Sequence, residues 1–533
     1  MTPRARTRAW TLYETGRDYN CRQNPNQYNL VKTNTEFFIG NQWLNLPDTP
    51  AMRALPKPTF NILKRVASLF IASLTGNAFR MRVEPLFDAS DTDDAAFADA
   101  ELSNLLEKFH FEYRIRDALF DGAQTGDYCA HFWFDPEARP YGGAGAFQDY
   151  RGEIRMELVD GINVMFGNPA DRRVENQPWI LLAGRDRVDN LRREARRYRK
   201  SGRGVEAIFA DAEAADIPGA DDTALYVLLY TKVERNHETT VHVTKATREA
   251  VIYENIDTGL SVYPLAWGNW ERQRNNYHGR ALVTGLIPNQ IFINTLFATA
   301  MRHVQLMAFP RTVYNADLIS AWTNEVGQAI GIRGLQPGQN VTSVAGTLPA
   351  SEMSAQIFTL IDKTMAYTKE CLGVSDVQLG NARPENTSAL ALLQTNAEIP
   401  LENIRAGLHE WIEDIGHILL DMMGTFYGTR PVVTRRDGGT VTADFDFRAF
   451  KHLWLNLRAD VGGTTSYNEA ALVDTLDALR RDGVLTAIQY FERLPERFFP
   501  RKAELLDELR AASVPTGTVN QVQTLDSQKG VST

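Results

Sequence analysis

The strongest constraint on this chain sits near its middle. Two apolar patterns of helical spacing, 287–309 and 351–372, bracket a glycine-rich stretch of short strands and turns at 310–350. The second pattern delivers the chain into a polar loop within LGNARPENTSALALLQ, residues 379–394. The first, IPNQIFINTLFATAMRHVQLMAF, is predicted as a helix with Pro288 in its first turn, where proline is tolerated. Its roughly 22 residues would run about 33 Å. Any fold must therefore let two long helices leave and return around an inserted β-rich module.

A bilayer does not explain that apolar length. Asn289, Gln290, Asn294, Arg302, His303 and Gln305 interrupt it, and burying the arginine alone in hydrocarbon costs about a few kcal/mol. RVASLFIASL, at 65–74, is too short to span, and the basic start MTPRARTRAW lacks the apolar run of a signal peptide.

Upstream, residues 1–45 read as helical and polar, Pro47, Pro56 and Pro58 mark a linker, and 60–77 is a core-facing helix ended by Gly76. MRVEPL is a strand, and one helix is expected from Asp94 to about Gln124. DYCAHFWFD and GEIRMELVDGINVMFGNP read as strands, RVDNLRREARRYRKSGRG as a basic helix, and ALYVLLYTKVERN, TTVHVTKAT and EAVIYEN as further strands of one α+β domain. Downstream, 387–427 is a long helical pattern in which Pro400 removes an N–H and crowds the carbonyl of Asn396, so a kink is expected. PVVTRRDGGTVTADFDF is a hairpin turning at Asp437, Gly438 and Gly439, HLWLNLRADVG is a strand, and 467–512 is a compact set of short helices. The tail, 513–533, is small and polar and reads as disordered.

Charge and cysteines narrow the function classes. A formal net charge of −9 argues against a basic surface that grips nucleic acid, although an acidic wall suits a polyanion that must slide past. Cys21, Cys129 and Cys371 are far apart and lack CxxC spacing, which excludes a disulfide framework and a cysteine zinc site and fits a reducing compartment. The chain has no GxxxxGK[ST] loop, GxSxG elbow, HExxH or helix-opening GxGxxG. His409, Glu413 and His417 fall on one helix face as a possible metal set, but the first and last lie about 12 Å apart along the axis, so a polar stripe is the better reading. Arg192, Arg193, Arg196, Arg197, Arg199 and Lys200 could meet phosphates, yet beside Asp189 and Glu194 they read as a solvated face. The aromatics of HFWFD and AFKHLWL have strand spacing and read as core.

Taken in order, these segments resemble the portal protein of tailed bacteriophages and prophages, of the long-tailed type. EFFIGNQWLNLP with PKPTFNILKRVASLFIASL is similar to that family's opening, and DGAQTGDYCAHFWFD with GEIRMELVDGINVMFGNP to its first β region. PENTSALALLQTNAEIPLENIRAGLHEWIEDIGHILLDMMGTFYG resembles its loop and long helix, and RADVGGTTSYNEAALVDTLDALRRDGVLTAIQYFERLPERFFPRKAELLDELR its C-terminal region. The resemblance covers nearly the whole chain apart from the tail.

It implies an α+β portal fold: an α/β wing at 1–280, a stem helix at 281–309, a small β-rich clip at 310–350 and a second stem helix at 351–373. A tunnel loop at 374–388, a long kinked wing helix with the wing β-hairpin at 389–465 and a helical crown at 466–512 would follow. It implies no catalysis and no cofactor. The chain would form a homo-oligomeric ring, usually of about twelve copies, at the capsid portal vertex of a virion, after synthesis in the bacterial host cytoplasm. Double-stranded DNA would pass through the tunnel. Large terminase, head–tail adaptor, major capsid and scaffolding proteins would be its partners, with no membrane involved.

The implied tunnel-loop residues are Gln378, Asn381, Arg383, Glu385, Asn386 and Thr387; the implied clip docking residues are Asn324, Glu325, Gln328, Arg333 and Gln336. Ile291, Asn294, Ala298, Met301, Gln305, Phe358 and Ile361 would form the stem interface between subunits. The loop offers mostly amides, hydroxyls and opposed charges, which suits contacts that must form and break as a duplex moves. Arg383 either meets phosphate or pairs with Glu385. At −9 per copy, a dodecamer would carry about a hundred negative charges. The competing reading is a metal-dependent hydrolase built on His409, Glu413 and His417.

Overall fold

The computed structural model describes residues 7–44, 49–76, 79–85, 92–139, 151–198, 205–211, 222–235, 238–307, 311–319, 331–334, 337–338, 340, 344–348, 355–371, 399–436, 439–451, 455–461, 466–494, 502, 505–506 and 509. Among the described residues helix accounts for 51% and strand for 24%, the balance of an α+β chain. Two units are distinguished, 1–432 with 443–461, and 433–442 with 462–533.

The first unit opens with α1 (Arg8–Arg22) and α2 (Gln27–Ile39), where the sequence reads as one helical stretch. Each has its own start. Thr7 Oγ1 accepts from Trp10 N at 3.3 Å, and Asn26 Oδ1 accepts from Tyr28 N at 3.0 Å, satisfying first-turn N–H groups. After α3 (Pro50–Arg53), α4 (Ile62–Leu74) buries Leu63, Val66, Ala67, Phe70 and Ile71 along one helical stripe. The single helix expected over 94–124 is two, α5 (Thr92–Lys108) and α6 (Phe111–Thr125), with His110 between them at φ 51°. No glycine or proline marks that break, and a left-handed histidine persists only where its surroundings hold it.

Two antiparallel sheets carry the rest of the domain. In the smaller, β2 (Asp127–Asp135) lies between β3 (Glu153–Val159) and β9 (Leu265–Asn269). The larger has the order β4 (Val164–Phe166), β5 (Trp179–Arg187), β6 (Thr223–Arg235), β7 (Glu238–Thr247), β8 (Val251–Asp257). Alternation splits its side chains between two faces. Met165, Leu181, Ala183, Val227 and Leu229 pack against Ala9 and Trp10 of α1. Val164, Phe166, Ile180, Leu182 and Tyr230 point the other way into the main core, and α7 (Val188–Tyr198) covers the end of the sheet with Leu191 and Ala195. β1 (Phe79–Pro85) pairs antiparallel with β14 (Leu455–Val461), tying distant parts of the chain together.

From this domain rise α8 (Leu282–Met307) and α9 (Ala355–Cys371), with a two-stranded antiparallel ribbon of β10 (Arg311–Tyr314) and β11 (Ala345–Leu348) inserted between them in sequence. α8 begins earlier than expected, so Pro288 lies inside it, beyond the first turn. At Pro400 the described chain makes a 3₁₀ turn, Ile399–Leu401, and then α10 (Glu402–Phe426); the helix expected before the kink lies outside the described residues. Leu408, Trp411, Ile412, Ile415, Leu419 and Met423 are fully buried along α10, each stabilising the fold by about 1.5–3 kcal/mol relative to an exposed side chain. β12 (Thr429–Arg436) and β13 (Gly439–Asp446) form the hairpin, with 437–438 outside the described residues.

The second unit holds α11 (Ser466–Arg481) and α12 (Ala487–Arg493), around Leu476, Tyr490 and Leu494. Thr486 and Gln489 make a reciprocal capping box, and the Tyr490 hydroxyl donates to Asp477 at 2.6 Å. The tail segment read as disordered lies outside the described residues.

Candidate functional site: an exposed apolar face on paired helices

The lower half of α8 is fastened by amides. Gln290 Nε2 donates to the Phe60 carbonyl at 2.7 Å and to Asn294 Oδ1 at 2.9 Å. Asn294 Nδ2 donates to Gln42 Oε1 at 2.7 Å, and Gln290 Oε1 accepts from Ile62 N at 3.1 Å. Asn34 Nδ2 reaches both the Gln124 carbonyl and Thr284 Oγ1 at 2.8 Å. These bonds join α8 to α2, α4 and α6, and buried polar groups satisfied in this way fix one orientation.

The segment leading into α8 is anchored as firmly. Asp127 and His278 are both buried, 2.6 Å apart, and Asp127 Oδ1 accepts from Gly279 N and Asn269 Nδ2, each at 2.7 Å. Gly126 and Gly279 let two backbones touch: a Cβ on Gly126, at φ 97°, would come within 2.6 Å of the Gly279 carbonyl oxygen.

The outward side of the helix pair has another character. Ile291, Phe292, Met301, Val304 and Leu306 of α8 and Phe358, Leu360 and Tyr367 of α9 are between 42% and 61% exposed, whereas Ile293, Ala298 and Ile361 are at most 3% exposed. The helix pair buries one seam and leaves large apolar side chains on its outside. Apolar area at that density marks a surface for association. Leu282–Leu306 is also long and apolar enough to cross a membrane by length and composition; Gln290 and Asn294, however, are committed to bonds with Phe60, Ile62 and Gln42.

Asn294, Ala298 and Ile361, read from the sequence as facing a neighbouring subunit, are buried within the chain, while Ile291, Met301, Gln305 and Phe358 are exposed. Arg333 is exposed, its N–H donating to the Leu318 carbonyl at 2.9 Å. Asn324, Glu325, Gln328 and Gln336 of the insert, and the loop residues Gln378, Asn381, Arg383, Glu385, Asn386 and Thr387, lie outside the described residues. His409, Glu413 and His417 do occupy the polar side of α10, but among the described residues no three His, Cys, Asp or Glu groups stand where they could share an ion. Burial, and then Arg405, hold His409 below the ordinary histidine range. Of the basic helix, Arg192 turns back to the Ile208 carbonyl at 2.8 Å and Arg197 faces Glu137 at 3.7 Å.

The sequence reading missed β5, β9 and the amide network. Gln290 and Asn294 stand four residues apart on an apolar helix, a spacing at which two amides can bond each other, and that was the available signal. A fastened helix base carrying an exposed apolar shaft defines a protein built to associate. Residues 183–443, just under half of the chain, match the family model described as Phage P22-like portal protein, and that match supports a phage portal protein. The match carries the P22-like description, so the narrower long-tailed type rests on resemblance alone. No curated protein matches the chain. The family is structural and implies a capsid-associated oligomeric ring at the vertex of the virion. A hydrolase built on the α10 histidines has no support.

Proposed function

We propose that identical copies of this chain close into a ring, of about twelve, whose bore conducts double-stranded DNA during packaging and ejection. The observation that carries this reading is the exposed apolar face of α8 and α9, which a single copy leaves in water and a neighbouring copy in a closed ring would cover. In this reading α8 and α9 are the stem, 310–350 is the clip, 374–388 is the loop lining the bore, 389–465 continues the wing and 466–512 is the crown. The chain has no phosphate-loop motif of its own, so a separate motor, the large terminase, would dock at the clip around Arg333, and a head–tail adaptor would follow it. Major capsid and scaffolding proteins would surround the ring in the host cytoplasm, where it is made.

Deleting 381–386 tests the loop assignment. Rings of unchanged mass should form and package or retain less DNA; loss of the ring itself would contradict the bore placement.

A further inference from the structure

A cleft of about 950 Å³ opens between α7 with β8 on one side and the end of β2 with α10 on the other, with no residue of α8 or α9 in its lining. Its walls are aromatic. Trp133 and Tyr198 are 37% and 56% exposed, Tyr198 leans on Tyr253 with ring centres 4.9 Å apart, and Phe134 stacks on Phe426 at 4.6 Å. Five carboxylates line it, Asp135, Glu137, Asp186, Glu194 and Asp257, against the guanidiniums of Arg193 and Arg197.

Three of the five have a cation nearby. Glu194 holds Lys245 at 2.7 Å, Glu137 has Arg197 at 3.7 Å, and Asp135 has Arg155 at 3.7 Å. Asp186 and Asp257 differ. Asp186 accepts from Arg187 N and Asn190 Nδ2, Asp257 accepts from Gly259 N with His242 at 3.9 Å, and among the described residues no lysine or arginine pairs with either.

Aromatic faces beside carboxylates without a lysine or arginine form the environment that attracts such a side chain through both ring and charge. We propose that this cleft docks a basic amphipathic segment of a partner protein. Its apolar side chains lie against Trp133, Tyr198 and Phe426, and its cations against Asp186 and Asp257. Arg193, exposed on the rim, opposes that charge and tunes the selectivity. The assignment does not depend on ring closure.

The test uses the full chain and two labelled helical peptides with the same leucine face, one bearing lysines and the other glutamates on the opposite face. Fluorescence anisotropy should show the lysine peptide binding about tenfold tighter than the glutamate peptide, with the difference shrinking at higher salt. Trp133→Ala and the double variant Asp186→Asn with Asp257→Asn should each weaken the lysine peptide about tenfold, and Arg193→Ala should tighten it. Asp18→Asn with Glu112→Gln, the same two-charge change on α1 and α6 outside the cleft, should leave it unchanged. Because the chain is acidic overall, this last comparison is decisive. Equal loss in the remote double variant and the cleft double variant, no loss in either, or equal binding of the glutamate peptide or single-stranded DNA would overturn the proposal. The aspartate variants keep size and shape, so the test survives even if Trp133→Ala does not fold.

Discussion

The two sides of α8 carry similar apolar side chains and put them to opposite use. Near its base the helix is enclosed by α2, α4 and α6, and its polar positions, Gln290 and Asn294, are spent on bonds inside the chain. Met301, Val304 and Leu306 of α8 stand in solvent, as do Phe358 and Tyr367 of α9. The amide-bonded side is complete within a single copy, and the outward apolar side chains, Ile291 and Phe292 included, are not. Buried polar groups specify one fixed arrangement, whereas exposed apolar groups call for a second surface that the single chain does not provide.

If that contrast is real, changes on the two sides should fail in different ways. The largest effect is expected from Leu306→Glu combined with Phe358→Glu. Assembly should be abolished in analytical ultracentrifugation, while the denaturation midpoint of the single copy shifts by no more than about 0.5 kcal/mol equivalent. A ring that survives this pair would break the comparison at once.

Substitutions in the enclosed region should act on folding instead. Trp411 is fully buried between Phe111 and Tyr128, and its indole N–H donates to the Ala266 carbonyl at 3.2 Å. Trp411→Ala should cost about 3–5 kcal/mol in urea titration. Asn294→Ala removes a 2.7 Å bond and leaves Gln42 and Gln290 short of a partner, so a loss of about 1–3 kcal/mol is expected. If Asn294→Ala instead impaired assembly and left stability untouched, its side chain would belong to the subunit interface as the sequence reading had it.

The smallest effect concerns pH. Burial, and then Asp160 and Asp117, push the Asp121 carboxyl up to about 6. An acid raised in the fold destabilises it while ionised, so its contribution to stability rises as pH falls from about 6 toward 4. Asp121→Asn should remove that slope and stabilise the protein at pH 8, read as a flatter dependence of melting temperature on pH.

Much of the fold follows from local pattern. The α4 stripe, the strands β6 to β8, the hairpin around 437–439 and the buried side of α10 are visible in the spacing of apolar residues. Other features depend on neighbours that a one-dimensional pattern does not name. His110 breaks a helix without a breaker residue, β5 is a nearly continuous apolar run lacking alternation, and Asn294 is polar yet faces inward because Gln42, far away in sequence, meets it. The same limit applies to Asp127 and His278, which are 151 residues apart and in direct contact. For α8 and α9, spacing identified the apolar positions but not which of them the chain covers for itself.

The most direct test is the mass of the purified full-length protein at high concentration, measured by native mass spectrometry. The account predicts a closed species near twelve times the 59.9 kDa of one copy, seen as an annulus in negative stain. A population that stays at 59.9 kDa, with α8 and α9 still exposed to solvent, would contradict it.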